Sequence, residues 1–548
     1  MLSNGSSVLG QFMEMEVAWA REMAKVRVQL WLAVALSALL ALQVWRRLRR
    51  QAVAAAADWG RPTLPGPFPW PVIGNAAQLG RLPHLSLCGM ARRYGDLFRI
   101  KLGSRTVVVL NGEEVIRQAL VRQGADFSGR PDFTSFGVVS GGRSLGFGRH
   151  SDLWKHHRKL AHSTVRAFST GNADTKKAFE GHVVCEMYQL ILLFVDRSRE
   201  GAYFDPWTSV VVAVANVMCA ACFGKRYGHG DTEFQALLSR NDRFGSTVGA
   251  GSLVDVMPWL QYFPNPVRSV FHEFKQLNRE FYAFVKEKTK EHRLTFRPQR
   301  VRDMLDAFIR IIDHRGGTDL SSHYVASSLA DIFGASQDTL STALHWMILY
   351  LIWKPEVQEK IQEEVDRVVG RQRIPTAEDE PRLPYLVAFL YETMRFSSFV
   401  ALTIPHSTTK DTSLMGYRIP KGTVVFVNQW SVNHDPRGWS QPDLFDPSRF
   451  LDADGAINKD LTSRVMIFSL GRRRCIGEEL SKVQLFLCLS LLTHQCAFKA
   501  NPAEEITLDF KYGLTLKPHT FTINVALRDS MEHLQSAAER IQQEEDNQ

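Results

Sequence analysis

Cysteine is scarce in this chain, with seven among 548 residues, at positions 88, 185, 219, 222, 475, 488 and 496. The set is odd and has no framework spacing, which excludes a disulfide scaffold and points to a reducing compartment for the body of the chain. Cys219 and Cys222 form a solitary C-x-x-C inside the apolar run 210–223. No second pair accompanies it, and the nearest histidine, His229, is several residues on, so a zinc or redox site lacks its partners. The pair reads as two small residues on a buried helix. A dinucleotide fingerprint is missing too. The nearest approach, Gly249 to Val254, lacks the third glycine and the βα context. No flavin or nicotinamide domain is visible, so any redox chemistry here draws its electrons from another protein. There is no internal repeat and no nucleic-acid-binding module. The net charge of +9 therefore points to an anionic membrane or an acidic protein partner.

The chain is long enough for a large core, and its 45% apolar and 22% charged content is ordinary for a globular protein. Residues 26–45 form an apolar stretch interrupted by Arg27, Gln29 and Gln43, long enough to cross a bilayer as a helix. The stretch Arg46-Arg47-Leu48-Arg49-Arg50 follows at once. The positive-inside rule places that end in the cytosol and residues 1–25 in the lumen. No small-residue cleavage site follows, which makes the stretch an uncleaved anchor. The alternatives are a buried core helix, or partial retargeting through the Arg-rich flank that would give a mitochondrial fraction. Asn4-Gly5-Ser6 is a glycosylation sequon on the expected lumenal side. Residues 46–71 carry the basic flank, an Ala-rich linker and a Pro-rich segment from Pro62 that can be neither helix nor central strand and makes a stiff spacer.

Residues 72–527 read as one large domain, mainly α with small β-sheets. Residues 98–103 and 106–111 form a hairpin of short strands. Helical periodicity recurs over 115–121, 154–165, 210–223, 320–352, 355–369, 385–394 and 479–492. The last stretch, 528–548, is rich in Glu and Gln and is expected to be a solvated helix or disordered.

The most informative segment is Phe468 to Gly477, which follows F-x-x-G-x-R-x-C-x-G. It reads as a loop presenting one thiolate, Cys475, to a heme iron. Two glycines permit unusual backbone angles near the sulfur, Arg473 is a charge-assisted partner for a heme propionate, and the helix that follows favours negative charge at its start. Glu392-Thr-Met-Arg395 puts an acid and a base on one helical face. Trp154-Lys-His-His-Arg158 puts an indole N–H and a guanidinium on one face.

The cysteine segment resembles the heme-binding signature of the cytochrome P450 superfamily. The resemblance extends from about Pro65 to Leu527, and the runs 252–267, 331–344 and 424–435 are similar to family 1, subfamily B, of vertebrates. It implies the cytochrome P450 fold, a single heme-thiolate domain behind a membrane anchor, with heme b (iron protoporphyrin IX) on Cys475 and Phe468 beside it. It implies that Trp154 and Arg158 bind propionates, with Arg130 a weaker candidate for the same groups. Glu392, Arg395 and Arg449 would form a buried charge network supporting the heme loop. Gly334, Ala335 and Ser336 would leave room for dioxygen, and Asp338 and Thr339 would organise its protons. Ser336 and Leu340 depart from the family pattern, which narrows the relay to those two residues. Phe136, Phe147, Asn241, Phe244, Phe281, Gly334, Ala335, Val400 and Leu514 match substrate-pocket positions.

The activity implied is a monooxygenase of the endoplasmic reticulum membrane with its catalytic domain in the cytosol. It would insert one oxygen atom into planar lipophilic substrates such as polycyclic aromatic hydrocarbons, estradiol, retinoids and fatty acids. NADPH would act through NADPH–cytochrome P450 reductase, with cytochrome b5 a second donor. Lys155, Arg158, Lys159, Arg472, Arg474 and Lys482 would offer the docking charge. Two other classes compete: an isomerase of lipid hydroperoxides, which needs no proton relay, and a heme sensor, which needs only the heme ligands.

Overall fold

The computed structural model describes residues 63–546 except 172, 229, 248–252 and 315–321, together with some positions between 28 and 46. Those positions are helical and exposed, Trp31 at 73% and Leu32 at 65% among them. The rest of the expected anchor, its basic flank, the sequon and the linker lie outside the described residues.

The chain enters through α1 (Pro83–Tyr94) and a hairpin of β1 (Leu97–Leu102) and β2 (Arg105–Leu110), which pair antiparallel from Leu97 opposite Leu110. Helices follow in series: α2 (Asp152–Arg166), α3 (Ala173–Arg197), α4 (Trp207–Phe223), α5 (Thr232–Thr247), α6 (Pro266–Thr295), α7 (Met304–His314), α8 (Ser322–Trp353), α9 (Pro355–Val368) and α10 (Pro384–Ser397). Then β3 (His406–Ser407) and β4 (Val424–Val427) complete a four-stranded sheet in the order β1-β2-β4-β3, with β2 and β4 parallel. The chain closes with α11 (Glu478–Gln495), the antiparallel pair β5 (Cys496–Ala500) and β6 (Ile523–Leu527), and α12 (Glu532–Asp546).

Helices α4, α8 and α11 are apolar on nearly every side, which is the pattern of helices buried on all faces. Cys219 and Cys222 are both 0% exposed on α4, and burial raises both thiols; among the described residues no ligand set surrounds them. Pro at the first turn starts α1, α6, α9 and α10, where its missing N–H costs no hydrogen bond. Among the described residues, α3 alone is long and apolar enough to cross a membrane, yet 61% of its apolar stretch is buried within the fold.

The carboxyl-terminal segment departs from expectation. Helix α12 is docked on α3: Leu534 is 0% exposed, and Ile541 packs so closely on Gly181 that a Cβ there would meet it at 3.2 Å. Leu534, Ala537, Ala538 and Ile541 form an apolar stripe that the Glu- and Gln-rich composition conceals. Residues beyond 527 therefore pack on the fold.

Candidate active site

The cysteine loop is pinned from several sides. The Cys475 N–H donates to the Phe468 carbonyl at 2.8 Å. Ser469 N–H donates to Gln429 Oε1 at 3.0 Å, while Gln429 Nε2 reaches the Ile467 and Val400 carbonyls. Gly471 has φ +70°, and a Cβ there would sit 1.8 Å from the Leu120 carbonyl oxygen, so no larger residue fits. Gly477 precedes the first turn of α11. The Cys475 side chain is exposed, but onto an internal cavity. Burial raises its thiol, while the Gly477 N–H and the Arg158 and Arg474 charges pull the other way. A metal ion bound there would deprotonate it outright.

That cavity has a volume of about 780 Å³ and is overwhelmingly apolar. It brings together residues far apart in sequence. Arg130, Arg158, Phe468 and Arg473 lie on its wall with Cys475, and so do Phe136, Phe147, Phe244 and Phe281. Gly334, Ala335, Thr339, Val400 and Leu514 complete the expected set on the wall. The Phe136 and Phe147 rings meet edge to face at 4.9 Å. Phe281 Cε1 lies 3.7 Å from where a Cβ on Gly334 would stand, so this ring packs against α8 where both line the cavity. Asn241 belongs to α5, and its side chain falls outside the described residues.

Trp154 is not on the cavity wall. Its indole N–H donates to the Leu145 carbonyl at 2.9 Å, and its ring lies 3.7 Å from the Arg473 guanidinium carbon. In this arrangement its ring stacks on the Arg473 guanidinium. Asp338 also lies off the wall. It pairs with Lys517 at 2.8 Å and accepts from Thr515 Oγ1 at 2.8 Å. Thr515 does line the cavity, and Thr339 Oγ1 donates to the Ala335 carbonyl at 2.8 Å, the backbone-directed bond that loosens a helix locally.

Arg130, Arg158 and Arg473 test whether the pocket suits a heme. Arg473 donates to the carbonyls of Ser128, Leu145 and Gly148, and Arg130 to those of Gly146, Ile404 and Pro405. Neither has a carboxylate partner. Burial, then the neighbouring guanidiniums, push Arg473 down to about 8, and burial with Arg158 pushes Arg130 down to about 9. A buried cationic cluster with only carbonyl partners is short of negative charge, and two propionates would supply it. His406, which sequence reasoning missed, lies on the same wall. Burial and Arg130 drive it well below its ordinary value, which favours the neutral imidazole, and its Nδ1 bonds the Phe127 carbonyl at 2.9 Å. The only signal for it was its position after Pro405.

Glu392 and Arg395 are both 0% exposed and pair at 2.7 Å. Arg449 joins Glu392 at 3.1 Å. Arg395 also donates to the Asn433 carbonyl at 2.9 Å, and Asn433 in turn bonds both backbone groups of Met466. The network thus reaches the residue just ahead of the cysteine loop.

Asp331, a second omission, clamps the far wall. It accepts from Ser140 Oγ at 2.5 Å, from Ser144 Oγ at 3.0 Å and from the Leu145 N–H. The clamp ties α8 to a segment in which Ser140 has φ +51° and Gly141 φ +64°. Burial raises Asp331 to about 6 against the lowering effect of these donors. A carboxyl raised in the folded state binds more protons folded than unfolded between about pH 4 and 6, so its contribution to stability falls as pH rises through that window. Asp331→Asn should abolish that fall. Urea midpoints of both proteins between pH 4.5 and 7 check it; parallel profiles would refute the assignment.

A single cysteine opening onto a large apolar cavity, with Arg130, Arg158 and Arg473 on the same wall, fits a heme held at its iron by the thiolate and at its propionates by the arginines, as in a heme-thiolate protein. The chain belongs to the cytochrome P450 family: the family model "Cytochrome P450" matches residues 64–525. It is 57% identical to cytochrome P450 1B1 of Homo sapiens over 525 residues, covering 94% of this chain and 96% of that protein. Identity to cytochrome P450 1B1 of Rattus norvegicus is 55% over 526 residues, covering 94% and 95%. Identity to cytochrome P450 1A1 of Oryctolagus cuniculus is 45% over 467 residues, covering 84% and 90%. The chain is accordingly a heme-thiolate monooxygenase, an oxidoreductase that works with a redox partner on lipophilic substrates.

Proposed function

We propose that this chain inserts one atom of dioxygen into planar lipophilic molecules: polycyclic aromatic hydrocarbons, estrogens such as estradiol, retinoids and fatty acids. The observation that carries the reading is the Phe-walled cavity of about 780 Å³ that opens onto Cys475. Its size is that of a small-molecule site, and its rings suit flat polycycles by stacking and edge contacts. Heme bound on Cys475 would supply the oxygen-activating iron, whose thiolate ligand favours O–O cleavage. Arg130, Arg158, Arg473 and His406 would hold its propionates. Thr339 would position a proton donor on the cavity side. Asp338, linked to the wall through Thr515 and outward to Lys517, would resupply it.

Electrons would come from NADPH through NADPH–cytochrome P450 reductase, with cytochrome b5 as a second donor. The cationic face is less bare than the sequence suggests: Arg474 and Lys482 share Glu478, and Lys155 pairs with Asp152. Lys159 and Arg472 are exposed and would carry more of the steering charge. Endoplasmic reticulum membrane attachment with a cytosolic body accords with the exposed apolar helix positions between 28 and 46. It also accords with a second apolar group: Phe68 at 74%, Trp70 at 58%, Tyr262 at 73% and Phe263 at 59% exposed. Both segments of that group are tied to the β1–β2 turn, one through Gly103 N–H to the Ile73 carbonyl and the other through Ser104 N–H to the Val256 carbonyl. Such aromatic clusters suit a bilayer interface.

The test is reconstitution with heme, reductase, NADPH, estradiol and isotopically labelled dioxygen. Labelled hydroxyestradiol that requires NADPH is expected; rearrangement of lipid hydroperoxides without NADPH, and no label with any of the four substrate classes, would overturn the reading. In the same assay Thr339→Ala should lower product formed per NADPH by roughly a hundredfold, the low end of the range for a lost proton-transfer group, and raise hydrogen peroxide correspondingly. Unaltered coupling would remove Thr339 from the relay.

A further inference from the structure

We propose that Arg240 binds the carboxylate of a lipophilic acid inside the substrate cavity, so that fatty-acid-type substrates are oriented by charge and neutral polycycles by the aromatic walls alone. This rests on the monooxygenase reading above and names a recognition element within it.

Arg240 lies on α5 and contributes to the cavity wall. Its guanidinium carbon sits 5.3 Å from the Phe281 ring centroid and 5.9 Å from that of Phe284. Nη1 is buried and has no hydrogen-bond partner. Burial works against its charge, and Glu280 gives only through-space compensation. The other wall arginines are committed elsewhere: Arg130, Arg158 and Arg473 bond backbone carbonyls around the cysteine loop, where the propionates would sit, and Arg474 pairs with Glu478. The wall carboxylates are occupied too, Asp255 by Ser135 and Asp331 by the clamp described above. Arg240 is half-buried and lines the cavity, and its buried Nη1 is left without a partner, so a small rotation of the guanidinium toward the cavity would give that donor an anion that arrives with the ligand.

The chemistry of that anion follows from the surroundings. A planar guanidinium fork matches a carboxylate in shape. One cation, without a second beside it, balances a monoanion better than a phosphate dianion. The adjoining Phe281 and Phe244 require the rest of the molecule to be apolar. Phe281 is the link to the reaction centre, since its other edge faces Gly334 on α8. An acid held at Arg240 would lay its chain past this ring toward the small residues of α8, which directs oxygen insertion to carbons remote from the carboxylate.

The probe pair is arachidonic acid and its methyl ester, and the readout is the ratio of their dissociation constants for the full heme-loaded chain, followed by the heme absorption change. The acid is expected to bind more tightly than the ester. Arg240→Gln should reduce that preference roughly ten- to hundredfold, the usual effect of one charged hydrogen bond, and Arg240→Lys should keep most of it. A wild-type ratio near one, or a ratio that Arg240→Gln leaves intact, overturns the proposal. Equal weakening of acid and ester also overturns it, because that is lost packing over Phe281 and Phe284. The acid preference persisting while no substrate is oxidised would support Arg240 and sink the monooxygenase reading instead.

Discussion

Arg395→Ala should yield almost no folded, heme-loaded protein. Arg395 is 0% exposed and makes five hydrogen bonds: two to Glu392 at 2.7 and 2.8 Å, and one each to the carbonyls of Asn433, Pro442 and Leu444. Alanine removes all of them and leaves a void. Glu392 keeps Arg449 at 3.1 Å and the Asp446 N–H at 2.9 Å, but these were placed to complete the pair, not to replace it. Stranding one member of a buried pair costs about 3–5 kcal/mol, a large share of the 5–15 kcal/mol that holds a typical domain together. The lesion also severs the link through Asn433 to Met466, so heme content should fall more than helix content. Arg395→Lys should recover little, since an ammonium cannot fork to Glu392 while reaching three carbonyls. Arg449→Ala should be milder, because Arg449 is 11% exposed and holds its other carbonyls from the rim. Heme-to-protein ratio and urea midpoint together check this; normal heme loading in Arg395→Ala would refute the network's role.

Part of the helical core was legible because its residues repeat the demands of burial, whereas α3, α5, α6 and α7 were not anticipated. Runs such as 210–223 and 320–352 have almost no polar alternative, and the ends differ from expectation by only a few residues. The pocket-facing phenylalanines and the cysteine loop were legible through family resemblance, not periodicity. What escaped notice was set by contacts remote in sequence. Asp338 meets Thr515 across 177 residues, and Asp331 meets Ser140 across 191, so neither partner has a local signature. Arg240 looks like one more charge on an amphipathic helix until α6 places Phe281 beneath it. Helix α12 was hidden differently: four apolar residues among many Glu and Gln suffice once α3 offers Gly181 as a landing site.

Cys475→Ser should separate fold from chemistry more cleanly than any other change. The side chain looks into the cavity and fills no packed interior, so the substitution should alter the stability of the heme-free chain by no more than about 1 kcal/mol. The loop itself is held by other means, through Gln429, the Phe468 carbonyl and the close approach of Gly471 to Leu120. A serine hydroxyl cannot serve as the soft, electron-rich ligand that a thiolate is. The reduced carbonyl spectrum typical of thiolate heme should therefore vanish, and NADPH-dependent hydroxylation should fall to background. Any heme still retained would be held by the arginine cluster and the apolar walls. Gly471→Ala should give the opposite dissociation: the thiol remains, but a Cβ placed 1.8 Å from the Leu120 carbonyl oxygen forces the loop to shift, so heme binding fails through geometry. If Cys475→Ser kept the thiolate spectrum, another of the seven cysteines would have to be the ligand; the remaining six are half-buried or buried, and none of them lines the cavity.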